Sequence, residues 1–315
     1  MAFETKIIGE GKEAIIRLAD TSSNCTAEIF AFGAILNRFT LLHQGEEMNF
    51  IDGFKNVREA PETITPAFKS AKLSPFVCRI NEGKYQFAEQ PHELTKYSMG
   101  KNAIHGLVYD EVFTIIQTTA DDSARVRLQY QYNNPSHGYP FKFNCEVVYE
   151  LLPGNTLSVT STIKNTGDKE IPVADGWHPY FTLGDTVNEC QFMLKSNEML
   201  EFDDELIPTG KYIPYKEFNE LKTFGTTWFD NCFTVNFDEG QPSCILRNPK
   251  RNIEVQIHPS TSYPYLQFFT PDHRKSIAIE NLSAAPDAFN NGIGLKVLAP
   301  QESASFNTKY VIKPL

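Results

Sequence analysis

Five polar residues stand in segments that are otherwise apolar or aromatic. Arg79 lies in Pro75-Phe-Val-Cys-Arg-Ile80 and His105 in Asn102-Ala-Ile-His-Gly106. His178 lies in Asp175-Gly-Trp-His-Pro-Tyr-Phe181, Asp230 in Thr227-Trp-Phe-Asp-Asn-Cys-Phe233, and Glu280 in Ser276-Ile-Ala-Ile-Glu-Asn281. Burying such a group without a partner costs on the order of 1–3 kcal/mol, so each must be satisfied or put to use. Imidazoles and carboxylates move protons, and a guanidinium donates hydrogen bonds to a polar ligand. Each residue also has an ordinary reading. Glu280 can pair with a surface lysine, His178 can be a hydrogen-bonded histidine in an aromatic cluster, Arg79 an ion-pair partner, and Asp230-Asn231 a turn. The five are far apart in the chain, and spacing alone does not choose between these readings.

The elements that would carry them read as strands. From Phe141 to Leu151 the odd positions are Phe, Phe, Cys, Val, Tyr and Leu, while the even positions hold one apolar residue, Val148. That period-two pattern predicts one buried and one wet face. Arg125 to Tyr132 repeats it, and Leu157, Val159 and Ile163 continue it after a turn at Pro153-Gly154-Asn155. These segments predict three consecutive antiparallel strands, with Ile253 to Ile257 and Phe306 to Ile312 as two more. Helical patterning is scarce. The best stretch, Ser196 to Leu206, predicts a short helical turn. With 24 Phe and 13 Tyr, bulky rings are available to fill the space between facing sheets. No linker, repeat or composition break divides the chain. The expectation is an all-β fold, a large antiparallel β-sandwich, as one domain over residues 1–315.

Composition narrows the partners. A net charge of −10 argues against nucleic acid or an anionic membrane as the main partner, since either needs clustered Lys and Arg. The six cysteines contain no Cys-x-x-Cys pair, so they predict buried free thiols rather than a zinc or redox motif. The first residues, Met1 to Gly11, carry Glu4, Lys6 and Glu10 and no apolar run, so a cytoplasmic protein is expected.

The ordered set of segments resembles the aldose 1-epimerase (galactose mutarotase-like) family. Phe32-Gly33-Ala34, Arg79-Ile80, Ile104-His105-Gly106, His178-Pro-Tyr-Phe181, Asp230 before Cys232-Phe233, and the late Glu280 come in that family's order and span nearly the whole chain. The resemblance implies a large β-sandwich of twisted antiparallel sheets and an isomerase that interconverts the α and β anomers of a free sugar. It implies Glu280 as base, His178 as acid, Arg79 and His105 as donors to the sugar, and Asp230 as acceptor. An ionised carboxylate beside a protonated imidazole suits chemistry near neutral pH. The resemblance implies no cofactor and no metal, a small-molecule sugar as partner, and a monomer or homodimer. Trp177, Tyr180 and Trp228 are candidates for stacking on a sugar face or for plain core packing, and His137 and Asn281 are further polar candidates. Some positions depart from the galactose mutarotase pattern: Leu107 follows His-Gly, Thr182 follows His-Pro-Tyr-Phe, Asn231 follows Asp230, and Asn281-Leu-Ser-Ala-Ala-Pro-Asp287 follows Glu280. These put galactose specificity in question. Two alternatives remain. One is a hexose-6-phosphate 1-epimerase, with Lys69, Lys72 and Arg274 as candidate phosphate ligands. The other is a non-catalytic carbohydrate-binding module.

Overall fold

The computed structural model describes residues 2–315. Two large antiparallel sheets dominate. The first has nine strands, in the order Thr114–Ala120, Ala124–Tyr132, Phe143–Leu152, Thr156–Asn165, Ser303–Pro314, Ile253–Pro259, Cys244–Asn248, Gln191–Leu194 and Lys222–Thr223. The predicted three-strand run is present, and Phe143–Leu152 alternates strictly between buried and half-buried positions. The other two predicted strands are Ile253–Pro259 and Ser303–Pro314, paired with each other near the middle of this sheet.

The second sheet has eight strands. Along it lie Pro208–Pro214, Glu198–Phe202, Asp230–Thr234, Tyr265–Phe269, Ile277–Leu282, Gly176–Trp177 and Lys72–Leu73, and Tyr180–Phe181 also pairs with Ile277–Leu282. Each large sheet draws strands from widely separated parts of the chain. Their facing sides pack together, as a sandwich requires. Trp177 Nε1 donates to Ser161 Oγ at 3.2 Å, Asn281 Nδ2 donates to the Tyr310 hydroxyl at 3.0 Å, and the Phe181 and Tyr310 rings meet edge to face. A five-stranded sheet over Phe3–Ile8, Ile15–Asp20, Cys25–Phe30, Leu36–His43 and Glu46–Asn49 joins the same apolar core. A small sheet of Ser98–Met99, Asn102–Ile104 and Arg79–Ile80 stands at the site described below. The fold is the all-β antiparallel architecture expected.

Two local expectations need correction. Ser196 to Leu206 is not a helical turn: Glu198–Phe202 is a strand, with Met199 opposite Phe233 and Leu200 opposite Tyr212. Glu198 and Glu201 belong to this strand, and Asp203, Asp204 and Glu205 to a turn in which Asp203 Oδ1 accepts from the Glu205 and Ile207 amides. The longest helix is instead Ala60–Ala67, which has Pro61 in its first turn, where a missing N–H costs nothing, and Pro66 in its last. All six cysteines are free and buried, as predicted.

Candidate active site

Strand register decides which side chains meet. Cys232 pairs with Gln267, and Gln267 with Glu280, so these three stand in one row across neighbouring strands. Two residues away, Asp230 pairs with Phe269, Phe269 with Ala278, and Ala278 with Tyr180. Alternation puts both rows on the same sheet face. The opposite face carries Phe268, Ile279, Leu266 and Asn281 into the core between the large sheets. Trp177 pairs with Asn281 and therefore also points to the core, which leaves the next residue, His178, on the Glu280 side.

Two further segments close over this floor. The His178 amide donates to Ala71 O, and its carbonyl accepts from the Ser70 amide at 2.9 Å. Arg79 pairs with Ile104, and the His105 amide donates to Cys78 O at 2.9 Å. Cys78 and His105 both hold the left-handed backbone conformation, with φ of 47° and 63°. Non-glycine residues visit that region rarely, and it is found repeatedly at ligand sites. Gly106, at φ 78°, follows for a steric reason: a Cβ there would lie 2.4 Å from Ser74 O.

The result is a pocket of about 140 Å³ that brings together all five residues singled out from the sequence: Arg79, His105, His178, Asp230 and Glu280. Phe68, Cys78, Met99, Tyr180, Gln267 and Phe269 complete most of its wall. His178 Nε2 lies 3.3 Å from Glu280 Oε1, and both side chains are buried. The His178 ring stacks on Tyr180 and meets His105 edge to face, each at a centroid distance of 5.0 Å. Gln267 Nε2 donates to Asp230 Oδ1 at 2.9 Å. A groove of about 740 Å³ beside Phe87, His92 and Phe141 is larger but gathers no comparable set of catalytic groups.

The electrostatics follow from desolvation. Burial, reinforced by the Asp230 charge, pushes the Glu280 carboxyl well above its usual range, while Arg79 and the Cys78 thiol oppose the shift. Burial lowers His178 to about 4. Burial, with His178 and Arg79 adding to it, drives His105 well down. Asp230 is raised by burial against the pull of Arg79 and of Gln267. Desolvation thus works against both charges of the expected carboxylate–imidazolium pair, towards a neutral imidazole and a protonated carboxyl.

Several candidates fall outside the pocket. Trp177 is core, Trp228 is exposed away from the lining, His137 sits in an exposed turn, and Asn281 links the large sheets by accepting from Thr308 and donating to Tyr310. Of the three proposed aromatic platforms only Tyr180 lines the site. The phosphate ligands are spoken for as well. Lys72 is fully buried against Asp175, Lys69 binds Asp52 at 2.7 Å, and Arg274 is bonded to Asn188, Gly225 O and Thr227 O. Arg79 is the sole lysine or arginine among the pocket's lining residues. Gln267 and Cys78 were missed. The signal that found the others applies to Gln267, a polar residue inside Tyr265-Leu-Gln-Phe-Phe269.

Two large antiparallel sheets with a polar-lined pocket on one face of the second define the class of fold. The chain belongs to the aldose 1-epimerase family, whose model matches residues 15–311. It is 27% identical to the uncharacterized protein YihR of Escherichia coli strain K12 over 288 residues, covering 88% of this chain and 91% of that one. Its fold is similar to a galactose mutarotase-like protein from Clostridium acetobutylicum, with a TM-score of 0.86 at 19% identity over 100% of this chain and 99% of that one. It is also similar to galactose 1-epimerase from Lactobacillus acidophilus, with a TM-score of 0.84 at 18% identity over 99% of each chain. No helix among the described residues is long and apolar enough to cross a membrane.

Proposed function

We propose that this protein is an aldose 1-epimerase that interconverts the anomers of a free hexose or related sugar, with Glu280 and His178 exchanging protons with the hemiacetal. The reading rests on the 3.3 Å contact between the two groups in a pocket walled by Arg79, His105 and Asp230. Such a pocket is small beside the roughly 300–1,000 Å³ of drug-sized sites, and it suits a single sugar ring.

Ring opening needs a base at the anomeric hydroxyl and an acid at the ring oxygen. The Glu280–His178 pair holds one proton between its members. Shifting that proton to His178 gives a carboxylate and an imidazolium, and sugar hydroxyls entering the pocket supply the hydrogen bonds that make the charged arrangement tolerable. Glu280 then takes the anomeric hydroxyl proton as the bond from C1 to the ring oxygen breaks, and His178 protonates that oxygen. The aldehyde turns about the C1–C2 bond. Reclosure on its other face reverses both transfers, so the protein ends as it began and no cofactor is consumed. Arg79 supplies a donor to oxygen that gains charge. His105, held neutral, offers one N–H, and Asp230, oriented by Gln267, accepts from sugar hydroxyls. The six buried thiols fit a reducing compartment, so we place this activity in the cytoplasm, in one domain spanning residues 1–315.

The test is anomer exchange followed by polarimetry or NMR with glucose, galactose and glucose 6-phosphate. Wild type should accelerate exchange of a free hexose, and Glu280→Gln or His178→Asn should each lose roughly 10²–10⁴ in rate while remaining folded. A wild-type protein that binds these sugars yet leaves exchange at the uncatalysed rate would make this a binding module. Preference for the phosphate ester would refute the free-sugar reading.

A further inference from the structure

The same pocket holds a set of donors that proton transfer does not use together. Cys78, His105 and Glu280 place a sulfur, a nitrogen and an oxygen within 4.8 Å of one another, and all three residues are buried. Cys78 Sγ lies 3.9 Å from Glu280 Oε2, and His178 Nε2 approaches the other carboxyl oxygen at 3.3 Å. The backbone bond from the His105 amide to Cys78 O keeps two of the donors side by side. His105 is only 7% exposed, and its Nδ1 has no hydrogen-bond partner among the described residues. An imidazole buried without a full set of partners is an unspent ligand.

We propose that Cys78, His105 and Glu280 form a zinc site whose occupation blocks the sugar pocket. Thiolate, imidazole and carboxylate are the ligands Zn²⁺ takes in tetrahedral sites, at about 2.0–2.3 Å. Donors around such a centre lie about 3.3–3.7 Å apart, so the present spacing needs closure by about 1 Å, within reach of small side-chain rotations. The thiolate selects a borderline-soft ion over Mg²⁺ or Ca²⁺. Two anionic ligands offset the ion's charge, which outweighs repulsion from Arg79. Cys78 and Glu280 must each give up a proton to bind the ion, so zinc competes with protons and holds better as pH rises. Bound zinc would take Glu280 out of proton transfer and deny His178 its partner.

The binding part of this inference is independent of the proposed activity, and the blocking part rests on it. Chelator-stripped full-length protein would be titrated with Zn²⁺ alone by calorimetry in buffers of different ionisation enthalpy. One ion per chain should bind with net proton release, and Cys78→Ala and Cys78→Ser, each confirmed folded by circular dichroism, should weaken binding at least tenfold. In the anomer-exchange assay, Zn²⁺ should slow wild type and a chelator should restore it. Each Cys78 variant, compared with its own metal-free rate, should need at least tenfold more zinc for the same inhibition. Absence of a one-to-one site, or equal affinity in wild type and both Cys78 variants, overturns the site. Zinc that binds there but leaves the rate unchanged or raises it overturns the block. A Cys78-dependent site in a protein with no metal-free exchange activity leaves the site standing and refutes the proposed function instead.

Discussion

Glu280→Gln should make stability depend on pH in a way that wild type does not. His178 and Glu280 touch at 3.3 Å in a buried setting, and burial takes His178 down to about 4 while raising Glu280. In the unfolded chain a histidine titrates near 6.5 and a glutamic acid near 4.3. Between these values the unfolded pair carries one proton, on the imidazole. The folded pair also carries one, on the carboxyl. Equal proton numbers mean that the pair contributes little pH dependence between about pH 4.5 and 6.5. In Glu280→Gln the folded site holds no proton, while unfolded His178 still gains one as pH falls. A histidine with a depressed folded value favours the unfolded state progressively below its unfolded value, until the folded value is reached. From pH 6.5 to pH 5 the variant should therefore lose about 1.5 kcal/mol relative to wild type, the cost of protonating a site near 6.5 that stays neutral when folded. Urea unfolding of both proteins at half-unit steps over this range reads the difference directly, and titrations of groups remote from the pocket cancel. Parallel curves, with a change in the difference below about 0.5 kcal/mol, would refute the depressed titration of the buried His178 imidazole in the variant.

Other consequences can be checked with simpler measurements. Lys72→Met leaves the buried Asp175 carboxylate with the Tyr263 and Ser161 side chains but no countercharge, so unfolding free energy should fall by about 3–5 kcal/mol, and Lys72→Met/Asp175→Asn should recover part of it. A Lys72→Met protein within 1 kcal/mol of wild type in a denaturant titration would show that the pair contributes no net stability. Gly106→Ala forces a Cβ against the backbone of Ser74 at a positive φ, and both the melting temperature and the exchange rate should drop as His105 is displaced; an unchanged melt would contradict the close approach. Gln267→Leu removes the side-chain hydrogen bond that orients Asp230 and should raise KM for the sugar more than it lowers kcat; steady-state anomer exchange separates the two, and a pure kcat loss would argue that Gln267 acts at the reacting centre.

The long strands were legible because one face is buried and the other is wet along their whole length, as in Phe143–Leu152. The site residues were legible as types: a polar side chain in apolar company announces itself at Arg79, His105, His178, Asp230 and Glu280. Their convergence was not. It depends on register between strands as short as Gly176–Trp177 and Arg79–Ile80, too brief to show periodicity, and on left-handed backbone at Cys78 and His105, which no glycine flags. The opposing pKa shifts of the pair were hidden for a related reason, since desolvation is a property of the assembled pocket. Ser196 to Leu206 misled because acidic residues serve a turn and a wet helix face equally well. Trp177 and His178 show the limit most sharply: adjacent aromatic residues of similar promise point to opposite sides of one sheet.

The placement of Ser303–Pro314 sets an order for assembly. This strand lies between Thr156–Asn165 and Ile253–Pro259, so it joins two portions of the nine-stranded sheet that are made well before it. Until it arrives, both portions present an open edge with unpaired amides and carbonyls, the kind of surface on which chains associate wrongly. A nascent polypeptide of this family member thus cannot complete its sandwich progressively from the amino end. Residues 303–314 act as a keystone, and interruptions of synthesis between residues 282 and 303 would yield chains that carry Arg79, His105, His178, Asp230 and Glu280 yet expose two sticky margins.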